Sequence, residues 1–234
     1  MKRSPHSFVE AFTMIELLIV IACLGIIASL LLPALARRNA PHSHINCVNN
    51  LKQMGVAFRT WALDNGDKYP PQVSVTNGGT MELVESGVVY THFQVMSNEL
   101  STPKLLICPE DAVRQHWAAS SFSAIAGIDN PIPFCSNTNV SYLIGVDADD
   151  TRPAMLLTGD ANIGLNGLPA KSGLHSFATN SDVRWEVSWH NPRHGKQGNI
   201  GLADGSVQQV NTPELRKALV VSGVTNRLAI PESP

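Results

Sequence analysis

Residues 17–35 read LLIVIACLGIIASLLLPAL, a run of 19 residues without a charged side chain. At about 1.5 Å of rise per residue, a helix of this length nearly spans a hydrocarbon core of roughly 30 Å. The residues ahead of the run are polar, with Lys2 and Arg3 near the start, as is typical of an end that stays in the cytoplasm. The run therefore predicts a membrane helix with its N-terminus inside the cell.

The charge balance argues against nucleic acid as a partner. The chain has 234 residues, with 17 Lys and Arg against 19 Asp and Glu, for a formal net charge of -2. Such a chain lacks the positive field that draws proteins to phosphate backbones. Its length suits one medium-sized domain with an appended segment.

A secretory signal peptide is an alternative interpretation of the apolar run. Residues 34–36, Ala-Leu-Ala, form a small-x-small site at which such a peptide is cut, and the product would be a soluble secreted domain starting at Arg37. Against this alternative, the run is longer than the roughly 7 to 15 apolar residues of a signal peptide. Two acidic residues, Glu10 and Glu16, also precede the run.

Glu16 belongs to a string with a specific resemblance. Residues 11–20 read AFTMIELLIV, and a carboxylate beside a membrane-length run must lie at the interface or serve a partner. The string closely resembles the processing motif of type IV pilins and type II secretion pseudopilins. The resemblance implies that prepilin peptidase removes a leader of residues 1–11 and that Phe12 becomes the N-methylated first residue. Ala11 stands where the family normally has Gly.

The same resemblance implies a role for Glu16 and a location for the chain. In the family this glutamate pairs with the N-terminal amine of a neighbouring subunit, which neutralises two charges that neither helix could bury alone. The partners implied are prepilin peptidase, other pilin or pseudopilin subunits and the inner membrane. The chain would be a single-pass protein of the cytoplasmic membrane with its head outside the cytoplasm.

Beyond the apolar run, the pattern changes from continuous to periodic. Apolar residues recur every three or four positions, as on one face of an amphipathic helix: Ile45, Val48, Leu51, Met54, Phe58 and Trp61. Residues 64–67, Asp-Asn-Gly-Asp, supply a stop, because Asn and Gly tolerate the left-handed conformation that ends helices. We expect residues 12–36 to form the transmembrane or assembly helix and residues 37–66 to continue it.

Residues 67–234 are expected to form a globular head of short strands. This segment is rich in Pro, Gly, Asn and Ser and has no second long helical pattern. The predicted strands are residues 87–92, 104–108, 140–146, 154–158, 199–203 and 206–210, and residues 214–222 predict a short helix. Asp204-Gly205 predicts a two-residue type I′ hairpin turn. The predicted fold is α+β, with a long pilin-like N-terminal helix packed on an antiparallel sheet.

Further segments resemble a subgroup of pseudopilin-like proteins. His194 is followed after nine residues by Asp204-Gly205, and residues 46–70 and 105–111 also match the subgroup. Its members carry a C-terminal His-x9-Asp-Gly signature and occur in planctomycetes, verrucomicrobia and their relatives. This resemblance implies a class and a location rather than an activity.

Two histidines near the signature offer a second hypothesis. His190 and His194, with Asp160 or Asp204, would suit a metal or catalytic cluster in a membrane-tethered enzyme or ligand-binding protein. Pro192 lies between the histidines and argues against a shared helical face. The competing interpretation is that His194 and Asp204 make structural hydrogen bonds that fix the hairpin.

Three acidic residues and two cysteines are the remaining candidates in the head. Asp147, Asp149 and Asp150 could coordinate calcium, which prefers carboxylate and carbonyl oxygens, or form a solvated acidic loop. Cys108 and Cys135 could form a disulfide that closes a loop of about 27 residues, or stay as free buried thiols. The sequence leaves both alternatives open. The first hypothesis is a structural subunit that assembles into a filament, with no enzymatic reaction implied.

Overall fold

The computed structural model describes residues 13–36, 39–109, 111, 116–177, 187–190 and 195–231. By its internal contacts the chain divides into two compact units, residues 1–42 and residues 43–234. The N-terminal unit holds helix α1 (Met14–Ala36) and the first residues of helix α2 (Asn39–Asp64). The second unit, called the head below, holds the rest of α2 and the described strands.

The predicted fold, one long N-terminal helix packed on an antiparallel sheet, is wrong. α1 ends at Ala36 and α2 begins at Asn39, so two helices stand where one was predicted. The head is α+β, but its described strands form two sheets. Among the residues that the structure describes, no helix combines the length and the apolar character needed to cross a membrane. Apolar residues on all sides of a helix offer no single face to a core, and the described side chains of α1 are exposed.

Helix α2 supplies one face of the head's core. Its fully buried side chains recur at spacings of four and three residues: Cys47, Leu51, Met54, Phe58 and Trp61. The predicted stripe is therefore confirmed from Leu51 onward, whereas Ile45 is exposed and Cys47 begins the buried face. The helix ends at Asp64, and Gly66 follows with a φ of 68°, the left-handed conformation expected of a stop.

Nine short strands follow in the described part of the head. They are β1 (Tyr142–Gly145), β2 (Leu156–Asp160), β3 (Ile163–Leu165), β4 (Leu168–Pro169), β5 (Gly173–Phe177), β6 (Val187–Trp189), β7 (Gly198–Leu202), β8 (Val207–Val210) and β9 (Asn226–Ile230). Six of them form an antiparallel sheet in the order β5-β9-β1-β2-β7-β8, and the others form a smaller sheet in the order β4-β3-β6. The last strand, β9, is inserted between β5 and β1.

The large sheet is covered on both faces. Tyr142 and Ile144 of β1 belong to the same core cluster as the buried face of α2. Leu143, between them, belongs to a second cluster with residues of the small sheet and of helix α5 (Thr212–Val221). Successive side chains of a strand point to opposite faces. Because both faces of the sheet are covered, every residue of β1 is buried.

Short helical segments replace two of the predicted strands. Residues 87–92 run into helix α3 (Tyr90–Gln94), which is followed by helix α4 (Ser97–Leu100). Residues 103–106 form a 3-10 turn capped by Thr102, whose side chain accepts a hydrogen bond from the Lys104 N–H. The other four predicted strands overlap β1, β2, β7 and β8. The predicted helix at 214–222 overlaps α5, which starts with a capping box between Asn211 and Glu214.

Candidate assembly site

The start of α1 is built around one carboxylate. Glu16 Oε2 accepts hydrogen bonds from the Thr13 backbone N (2.8 Å) and from Thr13 Oγ1 (2.7 Å). In return, the Glu16 N–H donates to Thr13 Oγ1 at 3.4 Å. This reciprocal arrangement is a capping box, in which an N-cap threonine and a glutamate three residues later satisfy the first free N–H groups of a helix. The sequence Thr-x-x-Glu ahead of an apolar run is the signal for it, and our sequence analysis did not use it.

Apolar side chains surround this carboxylate. The described side chains from Met14 to Ile27 are exposed, and Met14 and Ile15 expose 85% and 69% of their surfaces. Glu16 is the acidic residue of the first turn in α1. Soluble monomers rarely leave so large an apolar surface uncovered, so exposed apolar surface on this scale marks an interaction site for protein or membrane. Ala11 and Phe12, at the predicted cleavage position, lie outside the described residues.

The signature residues Asp204 and Gly205 lie in the turn between β7 and β8. The Gly205 N–H donates to Leu202 O at 2.9 Å, and the Ser206 N–H donates to Asp204 Oδ1 at 2.7 Å. Hydrogen bonds from Ser206 lower the pKa of Asp204 below its ordinary value. The predicted type I′ turn is wrong, because such a turn needs positive φ at both central residues and here Gly205 (φ 81°) has it without Asp204. His194 lies outside the described residues.

This turn is docked against α2. Arg59 Nη2 donates to Ala203 O at 3.0 Å. A Cβ added to Gly205 would lie 2.6 Å from Arg59 Nη1, and a Cβ added to Gly55 would lie 3.9 Å from the Gly205 Cα. The left-handed conformation of Gly205 favours glycine, and a larger residue there would also displace the Arg59 guanidinium from the turn. The geometry gives Asp204 and Gly205 a structural role in joining the hairpin to the helix.

The three acidic candidates for calcium are not brought together. Asp147 Oδ1 accepts from Arg227 Nη2 at 2.7 Å, and Asp147 Oδ2 accepts from the Arg227 N–H at 3.1 Å. Asp149 Oδ2 accepts from Arg152 Nε at 2.8 Å. Asp150 lines a surface groove with Arg59 and other residues. Each of the first two carboxylates is neutralised by an arginine, and no group of three His, Cys, Asp or Glu side chains in the described ranges could hold a metal ion.

The structure describes three residues of the proposed catalytic cluster, namely Asp160, His190 and Asp204. Asp160, at the end of β2, is buried and accepts hydrogen bonds from Asn199 N (2.7 Å) and Asn199 Nδ2 (2.8 Å). Asp204 lies at the other end of that strand, where its N–H donates to Pro153 O at 3.1 Å. The N–H of His190 donates to Asn162 O at 2.8 Å. Asp160 and Asp204 thus have separate structural partners and do not form one site.

Cys108 contacts a cysteine other than Cys135. Its side chain is buried with its Sγ 2.7 Å from Cys47 Sγ, whereas Cys135 is exposed. Of the two alternatives that the sequence left open, the Cys108–Cys135 disulfide is therefore not formed, because the core places Cys47 against Cys108. The position of Cys47 one turn before Leu51, on the buried face of α2, was the available signal.

A buried contact between a histidine and an aspartate in the head was not predicted from the sequence. His116 Nδ1 lies 2.6 Å from Asp111 Oδ2, and both side chains are almost completely buried. The Asp111 N–H donates to Cys108 O at 2.9 Å, so this pair lies directly beside the cysteines. Buried polar side chains need partners of this kind, because an isolated polar group loses its hydration without compensation.

Comparison with known proteins returned no match to any family model, curated protein or solved structure. The resemblance to pilins and pseudopilins therefore stands on the residues quoted for it. What the structure adds is the geometry around Glu16 and around the signature turn.

Proposed function

We propose that this chain is a pseudopilin-like structural subunit of a type II secretion pseudopilus or a type IV pilus-like filament. In this proposal, prepilin peptidase removes residues 1–11 and Phe12 becomes the first residue. Before assembly, the subunit lies at the cytoplasmic membrane with its head outside the cytoplasm. It then joins other subunits through α1, and no enzymatic reaction is involved.

One observation carries the proposal, namely a single carboxylate at the start of an exposed apolar helix. The described side chains of α1 offer one acid, Glu16, among apolar groups. Packing such helices against one another would remove their apolar surface from water. Each Å² removed would stabilise the packed helices by about 25 cal/mol. The same packing would bury the Glu16 carboxylate without a partner unless a cation lay beside it. The N-terminal amine of a neighbouring processed subunit is such a cation.

The capping box holds this carboxylate in place before assembly. Both described hydrogen bonds to the Glu16 side chain end on Oε2. They fix the side chain beside the start of α1, next to the residue that processing would make the N-terminus. A carboxylate held in advance loses less conformational entropy when it pairs with a charged group.

Substitutions can separate the charge of Glu16 from its capping role. We expect Glu16→Ala and Glu16→Gln to lower incorporation into filaments about tenfold or more, since 1.4 kcal/mol of lost pairing is a factor of ten. Both variants should still be recovered with the membrane fraction. Filament incorporation is measured by shearing the filaments from cells and quantifying the subunit by immunoblot.

The matched control is Thr13→Ala, which removes the hydroxyl of the capping box and leaves the charge. Glutamine can replace glutamate in a capping box, so Glu16→Gln keeps the cap and loses only the charge. Normal incorporation of Glu16→Gln, together with poor incorporation of Thr13→Ala, would show that Glu16 acts as a helix cap and would refute the pairing role.

A further inference from the structure

Cys47 and Cys108 meet in the core of the head. Their Sγ atoms are 2.7 Å apart and 61 positions separate them in the sequence. Both side chains are 0% exposed and belong to the same core cluster. Unbonded sulfur atoms do not normally approach so closely, whereas the sulfurs of a disulfide lie about 2.0 Å apart. Only a small movement separates this pair from a covalent bond.

Hydrogen bonds hold the two segments in this position. Asn50 Nδ2, one turn along α2 from Cys47, donates to Ile107 O (3.3 Å) and to Tyr142 Oη (3.1 Å). The Ser141 N–H donates to Leu106 O at 2.8 Å. The segment that carries Cys108 is thus fixed between α2 and the start of β1 by groups other than the cysteines.

The geometry points to a disulfide between Cys47 and Cys108 that clamps α2 to the rest of the head. A zinc site would need about four ligands, and the described residues contain no group of three suitable side chains. The disulfide goes beyond the proposed function. It relies on that function only for an oxidising compartment in the cell.

The bond forms by thiol–disulfide exchange with a disulfide reagent such as oxidised glutathione or a disulfide oxidoreductase. The thiolate of one cysteine attacks a sulfur of the reagent, which gives a mixed disulfide and releases one thiol. The second cysteine attacks the protein sulfur of the mixed disulfide and releases the second thiol. The two cysteines lose two protons and two electrons, and the reagent is reduced to two thiols.

The folded environment dictates when this exchange takes place. The contact with the Cys108 thiol and burial both raise the pKa of Cys47 far above its ordinary value. The thiolate is the attacking species, so the exchange proceeds while the chain folds or opens locally. Once the core has closed, the same burial protects the bond from reductants.

Peptide mapping tests the bond directly. Full-length protein is reduced under denaturing conditions, refolded in detergent in a buffer of reduced and oxidised glutathione, alkylated under denaturing conditions and digested. We expect a peptide that joins Cys47 to Cys108, with Cys23 and Cys135 alkylated. Four alkylated cysteines, glutathione attached to Cys47 or Cys108, or a link from Cys108 to Cys135 would overturn the proposal.

Thermal unfolding gives a second measurement. In the chain-entropy relation, a bond closing a loop of this size changes the unfolding equilibrium roughly a thousand-fold. For a chain of this length, that corresponds to a Tm higher by about 10 °C. Protein that is reduced while unfolded and then refolded with a reductant should therefore have a lower Tm than the oxidised protein. The control Cys135→Ala should show the same difference, and Cys47→Ala should show none. Equal Tm values for the oxidised and the reduced unaltered protein would contradict the clamp.

The disulfide and the proposed function can be refuted independently of each other. Glu16→Ala should form the Cys47–Cys108 link as readily as the unaltered chain, because Glu16 lies outside the head. Loss of filament incorporation with the link intact would support both proposals. Absence of the link in a chain that still forms filaments would refute the disulfide alone.

Discussion

The side chain of His92 is a buried base with one described hydrogen-bond contact. Its Nδ1 lies 2.7 Å from Thr80 Oγ1, and its side chain is 0% exposed on α3. Burial disfavours the charged imidazolium and lowers the pKa of His92 from 6.5 to about 4. The unfolded chain therefore takes up a proton at a higher pH than the folded chain does.

This difference predicts a loss of stability in acid. Stability from neutral His92 is fully present above pH 6.5 and is lost as the pH falls through the folded pKa of about 4. At a pH near this folded pKa, protonation of His92 should have lowered the free energy of unfolding by about 3 kcal/mol. Urea unfolding between pH 4 and pH 7 measures the slope.

Two glutamine variants isolate the contribution of His92. His92→Gln keeps a side chain that can hydrogen-bond with Thr80 but does not titrate, so its stability should depend less on pH in this range. His175→Gln is the control, because this histidine lies at the partly exposed strand β5, with Nε2 2.8 Å from Lys171 O. The same slope in both variants would refute the role of His92.

At the scale of elements, the β7–β8 hairpin depends on α2. The hairpin itself was predictable, because Asp-Gly lies between two short strand patterns. Its turn type was not, because Arg59 and Gly55, about 150 residues earlier in the chain, lie against it. A type I′ turn does occur at Asn166-Gly167, where both φ values are positive, and we overlooked this Asn-Gly signal.

A double-mutant cycle can measure the docking of this hairpin. Gly205→Ala should cost about 1 to 2 kcal/mol for its left-handed conformation. The free energy of unfolding of Gly205→Ala should fall by about a further 1 kcal/mol, because the Arg59 guanidinium must move away from Ala203 O. Gly167→Ala is the control, since its φ of 79° is similar and nothing lies within 4 Å of its added Cβ. Chemical denaturation gives the free energies of unfolding.

The cycle is completed in an Arg59→Ala background. There Gly205→Ala and Gly167→Ala should cost the same, because the obstructing guanidinium is gone. If the extra loss at Gly205 persists without Arg59, the close approach to α2 is not its cause.

A local signal marks the helices that were predicted correctly. α2 was recognised from its periodic stripe, and the helix predicted at 214–222 overlaps α5 and begins at the Glu214 of its capping box. Within the predicted strand 104–108, residues 105–108 are apolar and buried like a strand, but they lie in a 3-10 turn and a loop. A short apolar run does not reveal its backbone conformation, because both a strand and a turn can be buried. The position of β9 between β5 and β1 depends on long-range pairing that no local pattern encodes.

At the scale of the whole molecule, the head contains its own core. The described buried hydrophobic residues all lie at Cys47 or later. Cleavage after Ala36 would remove the apolar segment and would therefore leave this core complete. A filament subunit with α1 attached and a secreted head without it are thus both compatible with the packing of the head.

The mature N-terminus separates these two interpretations. For the proposed filament subunit, we expect the protein isolated from its native cells to begin at an N-methylated Phe12. Mass spectrometry of the N-terminal peptide measures the cleavage position and the methyl group together. A chain that begins at Arg37 would identify a secreted domain and refute the filament proposal.

The amino-acid sequence is enough to identify the apolar segment, its acid at Glu16, the helix that supplies a core face and the hairpin at Asp204-Gly205. These features depend on periodicity, on composition or on residues close together in the chain. Tertiary packing sets the two sheets, the contact between Cys47 and Cys108 and the docking of the signature turn on Arg59. These features join residues far apart in the chain, and their partners are chosen by packing, which only the folded core specifies.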